Sequence, residues 1–238
     1  MSTSDQSFPF PVAHRIAKAL VVEFSPVCER IEIAGSLRRQ KNQINDIELV
    51  CIPRYRQEQE GQQDLFGGGS RVEVNQVWEK AEELAPKRLF PLKPGTDARD
   101  GHLQVDAAWR EKRLKGSKYF RFWLPRVQIK VDMFLATPET WGPLLVLRTG
   151  SADFNRGLVS PRGSHRGRFH DGRIHYHQPT GSPHTWSNKG APLGPPVDTP
   201  EEKDVFEALE LAWVEPTERR TRADVEKAAR RFQEGRAA

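Results

Sequence analysis

The sequence predicts an α/β (α+β) protein: a mixed β-sheet with flanking helices, followed by a small C-terminal α+β subdomain. Three observations carry that expectation. Segments with strict two-residue apolar alternation recur along residues 30–135, the signature of half-buried strands. Segments with apolar residues at three- and four-residue spacing lie between and around them, which is helical spacing. After residue 160 the composition shifts to glycine, proline, histidine and arginine. At 238 residues the chain suits one large domain or two small ones.

Val12, Ile16, Ala19, Leu20 and Phe24 share one helical face, and Pro26 stops that helix. Residues 30–34 alternate as a strand, broken by Gly35-Ser36. Residues 46–52 form a second strand, with Ile47, Leu49 and Cys51 on one face and Asp46, Glu48 and Val50 on the other. Gln, Glu and a "GGGS" run make residues 54–71 read as a flexible loop, and a short helix follows at 75–85. Residues 86–116 show no clear period. "YFRFWLP" and "VQIKVDMFLA" alternate and are expected as neighbouring strands, the second with Gln128, Lys130, Asp132 and Phe134 on one face and Val127, Ile129, Val131 and Met133 on the other. A single helix is expected over 137–150, with Thr137 as cap, Pro138 in the first turn and Gly150 past the end. "GRFHDG" and "RIHYHQ" read as a strand pair turning at Asp171-Gly172. Thr199, Pro200 and Glu202 spell a capping box, and a last helix near 221–234 has a basic face.

The charge of +5 and pI near 9.3 favour a polyanionic partner. Two cysteines cannot build a disulfide framework and fit a reducing compartment, here the cytoplasm. No signal peptide or membrane-length apolar run is visible, so no membrane partner is expected. The late histidines (His165, His170, His175, His177 and His184) lack the spacing of a metal site. Trp109, Trp123, Trp141 and Trp213 read as core anchors.

Asp46, Glu48 and Asp132 stand apart. Each sits in a strand on the face opposite the main apolar row. Taken singly, such acids usually mark a solvated face. Converging, three carboxylates repel one another unless a cation shares them, and hard divalent ions with oxygen ligands, Mg²⁺ or Mn²⁺, meet that demand. Gly35-Ser36 offers a turn with backbone N–H groups and a hydroxyl, and Arg38 and Arg39 offer charge-assisted donors to phosphate.

Gly35-Ser36, Arg38-Arg39, Asp46-x-Glu48 and Asp132, in that order, resemble the pattern of the nucleotidyltransferase superfamily and, within it, the family X (polymerase beta-like) DNA polymerases. "RTGSADFN" is similar to the segment with which these polymerases hold the incoming nucleotide, and residues 201–220 are similar to their C-terminal ending. The resemblance implies a palm domain at 1–150 and a nucleotide- and DNA-binding subdomain at 151–238. It implies two Mg²⁺ (or Mn²⁺) ions on Asp46, Glu48 and Asp132, the last being the acid nearest the primer 3′-hydroxyl. Gly35, Ser36, Arg39, Arg148, Gly150, Ser151, Asn155 and Arg156 would bind the dNTP. Lys130, Arg162, Arg166 and Arg168 would meet primer–template or gapped DNA. The implied activity is short-gap repair synthesis by a monomer; the alternative is a template-independent, RNA or small-molecule nucleotidyltransferase.

Four departures from the family pattern stand out, one of them a residue pair. Glu48 replaces an aspartate, Asn45 a glycine and Val159 an arginine that serves template reading. Leu147-Arg148 replaces a Tyr-Phe pair, which implies weaker exclusion of ribonucleotides. Only about one helix precedes Gly35, so the resemblance is to compact members without a lyase domain.

Overall fold

The computed structural model describes residues 7–60, 70–84, 90–91, 118–124, 127–160, 167–177 and 193–237. The protein is mixed α/β and contains a mixed sheet. It divides into two compact units, one of Met1–Ile33 with Asn42–Leu135, the other of Ala34–Lys41 with Ala136–Ala238.

In the first unit, β1 (Phe8–Pro9) pairs with β3 (Gln43–Ile44). The main sheet joins β2 (Cys28–Ile33), β4 (Asp46–Pro53), β9 (Ile129–Leu135), β8 (Tyr119–Leu124) and β7 (Phe90–Pro91) in that spatial order. Only β4 and β9 run parallel; the other neighbours are antiparallel. Alternation puts Ile47, Leu49, Cys51, Ile129, Val131, Met133, Phe120 and Phe122 on one face, all fully buried or nearly so. Helix α1 (Phe10–Phe24) and helix α3 (Gln76–Leu84) both pack on this face. Phe24 stacks on Phe122 at 6.2 Å between ring centroids, and Trp78 tilts against Phe120 at 4.6 Å. Each such aromatic pair adds about 0.5–1.5 kcal/mol beyond its buried area.

Three expectations for this unit change. Helix α1 buries Ala13, Ala17, Leu20 and Phe24, whereas Val12 and Ala19 are exposed. The buried stripe includes two small alanines and is rotated from the one the larger residues suggest. Residues 55–60 and 70–75 are not loop: β5 (Tyr55–Glu60) and β6 (Ser70–Asn75) form an antiparallel hairpin. Gln57 donates to Glu73 across the hairpin, and Arg56 ties it to helix α3 by donating to Glu79. Asn75 then caps α3, its Oδ1 accepting from the Val77 and Trp78 amides. Val127 and Gln128 belong to a turn before β9, Val127 being exposed and Gln128 left-handed at φ 53°.

The second unit opens with a single helical turn, α2 (Gly35–Arg38). Gly35 has φ 64°, a left-handed conformation that explains glycine there. The expected helix over 137–150 is two pieces. Thr137 and Thr140 cap each other around a 3₁₀ turn at Pro138–Thr140, and α4 (Trp141–Thr149) follows. Next come α5 (Ala152–Val159), a three-stranded antiparallel sheet of β10 (Gly167–His170), β11 (Arg173–His177) and β12 (Leu193–Val197), then α6 (Glu202–Ala208) and α7 (Arg222–Ala237). Val146, Phe154, Leu158, Ile174, Val205, Phe206, Val225 and Ala228 share one core.

The capping box of α6 is shifted from its expected place. Glu201 is the cap and Asp204 returns the bond, because the Glu202 carboxylate is committed to arginines. Arg38 meets it with both terminal nitrogens, at 2.9 and 2.6 Å, and fully buried Arg219 donates to it as well. Arg219 lies over the rings of Phe206 (5.0 Å) and Trp213 (4.8 Å). Trp141 is fully buried and Trp213 half-buried. Trp109, His165, His184, residues 61–69 and nearly all of 86–116 lie outside the described residues, as do the side chains of Trp123 and His177. Among the described residues no helix is long and apolar enough to cross a membrane.

Candidate functional site

The parallel pairing of β4 with β9 sets Asp46 beside Lys130 and Glu48 beside Asp132. Adjacent strands lie about 4.8 Å apart, so directly paired residues project side by side from the same face. That face is apolar toward the end of β4, where Val50 and Ile52 are buried next to Phe134, and charged toward its start. Asp46, Glu48 and Lys130 are half-buried, while Asp132 is only 4% exposed. The three predicted carboxylates and Lys130 therefore share one sheet face of the first unit.

Strand β8 adds two residues that the sequence reading did not single out. Its register puts Arg121 opposite Asp132 and Tyr119 opposite Phe134. Arg121 Nε donates to Asp132 Oδ1 at 2.5 Å and Nη2 to Oδ2 at 2.8 Å, a two-pronged ion pair. The Tyr119 hydroxyl donates to Oδ1 at 2.9 Å, and its ring stacks on Phe134 at 5.0 Å. The bond to Asp132 pushes the Arg121 guanidinium pKa well above its ordinary value, against the opposing effect of burial; Tyr119 and Asp46 add smaller upward contributions. The signal was present in the sequence. Counting outward from the pairing of Leu124 with Ile129, the partner of residue 132 is residue 121, a lone charge among aromatics.

Oxygen-only donors on Asp46, Glu48 and Asp132 are the ligand chemistry of Mg²⁺ or Mn²⁺. Their placement here serves Arg121 as well: both oxygens of Asp132 already accept hydrogen bonds. Among the described residues no group of three His, Cys, Asp or Glu side chains is disposed to hold a metal ion.

The residues expected to hold a nucleotide gather in the second unit, around the junction of α4 with α5. Arg39 Nη1 donates to the Thr149 carbonyl at 2.5 Å, and Arg38 to Thr149 Oγ1 at 2.9 Å. Ser151 caps α5: its Oγ accepts from the Phe154 amide and donates to the Arg220 carbonyl. Asn155 Nδ2 donates to the Leu147 carbonyl at 2.6 Å, and its Oδ1 is buried with no hydrogen-bond partner. Gly150 has an ordinary φ of −62°; what it supplies is room, since a Cβ there would come within 2.2 Å of Asn155 Oδ1. Ser36 is half-buried beside Gly35 and Leu37. Arg148 is exposed, and Arg156, 74% exposed, pairs with Asp153 at 3.5 Å.

Of the residues expected to meet DNA, Arg168 is half-buried on β10, paired in register with His175. Arg162 and Arg166 lie outside the described residues. Arg38, read from the sequence as a phosphate donor, is instead anchored to Glu202 and Thr149. Neither a protein-family model nor a curated protein sequence matches the chain.

Proposed function

We propose that the chain is a DNA polymerase of the family X type, joining a primer 3′-hydroxyl to the α-phosphate of a dNTP with release of pyrophosphate. The observation that carries the reading is the parallel β4–β9 pair, which sets Glu48 beside Asp132 with Asp46 two residues away on the same face. The motif resemblance in 34–50 and 148–155 supplies the rest. Asp46, Glu48 and Asp132 would hold the divalent ions, which when bound neutralise phosphate charge and favour the ionised hydroxyl. Asp132 orients toward the primer end and Lys130, two residues earlier on the same face, offers its ammonium to primer phosphate. In the second unit, Ser36 and Arg39 receive the triphosphate, Gly150 gives the sugar close approach, and Asn155 offers a polar edge to the base. Its partnerless Oδ1 is consistent with an acceptor kept for a ligand donor. Positioning and charge stabilisation would account for most of the rate.

A second reading, nucleotide addition without a template, is favoured by one observation. Val159, half exposed on α5, stands where template-reading relatives carry arginine.

Extension of a labelled primer on gapped and single-stranded templates, with Mg²⁺ and with Mn²⁺, tests both. Products that follow the template support the first reading and untemplated tails the second. Absence of any incorporation overturns both. Asp132→Asn is expected to lower incorporation at least about 10²–10³-fold, the scale on which a lost charge-stabilising group acts. Its thermal stability should change little, because Arg121 is partly exposed and can take up water.

A further inference from the structure

Asp132 does not wait for a cation; the protein supplies one. Its Oδ1 accepts from both Arg121 Nε and the Tyr119 hydroxyl, and its Oδ2 accepts from Arg121 Nη2. Three of the roughly four lone-pair sites of the carboxylate are thus taken. A divalent ion finds a single site left on Oδ2, beside a guanidinium whose positive charge repels it at short range.

The two partners differ in freedom. The Asp132 side chain is 6% exposed and held mid-strand between β4 and β8. The Arg121 side chain is 36% exposed, with water to move into. Tyr119 is held by its stacking on Phe134, so its hydroxyl can stay on Oδ1 when the guanidinium leaves.

We infer that Arg121 is a resident counter-ion of Asp132: a positioning residue that keeps this buried carboxylate formed and oriented until a divalent cation displaces it. Metal occupancy at Asp132 is then set by competition with a side chain of the same sheet, and is weaker than the carboxylates alone would give. The inference rests on the reading of Asp132 as a metal ligand.

Mn²⁺ titration of the whole protein, followed by the spectroscopic signal of free Mn²⁺ and by thermal unfolding, separates the two ideas. Arg121→Gln is expected to bind Mn²⁺ about tenfold more tightly than the unmodified protein, because a charge-assisted, two-pronged competitor is gone. It should unfold at lower temperature without metal and gain more from Mn²⁺. Arg121→Lys, which keeps the charge but loses the fork, should fall between them and carries the test if the glutamine variant does not fold. Asp132→Asn should lose the site. Unchanged or weaker Mn²⁺ binding in the Arg121 variants, with the site still lost in Asp132→Asn, overturns the counter-ion role and leaves the reading of Asp132 standing. Undiminished binding in Asp132→Asn, or no binding in any of the four proteins, overturns both.

Discussion

Cys28 and Cys51 lie almost without solvent contact in the first unit, and Cys51 Sγ contacts Met133 Sδ at 3.6 Å. A hydrogen bond with Cys28, then burial, pushes the Cys51 thiol pKa up. The folded state therefore keeps the protonated thiol. The stability this contributes is full below the ordinary thiol pKa and is lost as pH rises through the raised, folded value. Two outcomes are expected. Alkylation of native protein near pH 8 should run more than about a hundredfold slower than in urea, since labelling requires opening. The urea midpoint should fall as pH is raised beyond the thiol range; a flat midpoint would contradict the assignment. The acids and the arginine of the candidate site show what single residues reveal. Asp46, Glu48 and Asp132 were legible because each is a charge at an alternate position of an otherwise apolar strand. Arg121 is one equally, but its meaning depends on the hairpin register that sets it against Asp132.

Whole elements were legible where one face is apolar. Strands β4, β8 and β9 follow from Ile47, Leu49 and Cys51 and from their counterparts in the neighbouring strands, because period-two burial leaves a period-two pattern. The β5–β6 hairpin leaves none: Arg56, Gln57, Glu58 and Glu73 put polar groups on both of its faces. The start of α6 was misplaced because Thr199-Pro200 imitates a helix entrance. The actual cap lies at Glu201, and Glu202 serves as the shared acceptor of Arg38 and Arg219. Burial, and after it the like charge of Arg38, pull the Arg219 guanidinium pKa down, and Glu202 opposes that pull. Glu202→Ala would leave a fully buried guanidinium without its carboxylate, and is expected to destabilise the protein by about 3–5 kcal/mol. Urea unfolding followed by tryptophan fluorescence measures it. A loss below about 1 kcal/mol, the range of surface pairs, would show that the network is hydrated.

At the scale of the molecule, chain order and compact grouping differ. Residues 34–41 are flanked in sequence by β2 and β3 of the first unit, yet they group with 136–238. No local pattern could announce this: the side-chain bonds that tie the turn to its unit run from Arg38 and Arg39 to Thr149 and Glu202, more than a hundred residues along the chain. If the grouping reflects cooperative units, amides of 34–41 should exchange with solvent in step with α4 and α6 under mild denaturant. Exchange in step with β2 and β4 would show instead that the turn opens with its sequence neighbours. The same arrangement bears on biosynthesis. Glu202 follows Arg38 by 164 residues, so at the usual pace of translation the ribosome needs roughly ten to thirty seconds to deliver the turn's last acceptor. Until then Arg38 lacks the carboxylate that anchors it, and any chain released early, stalled or clipped before α6 leaves the ribosome without that ion-pair network.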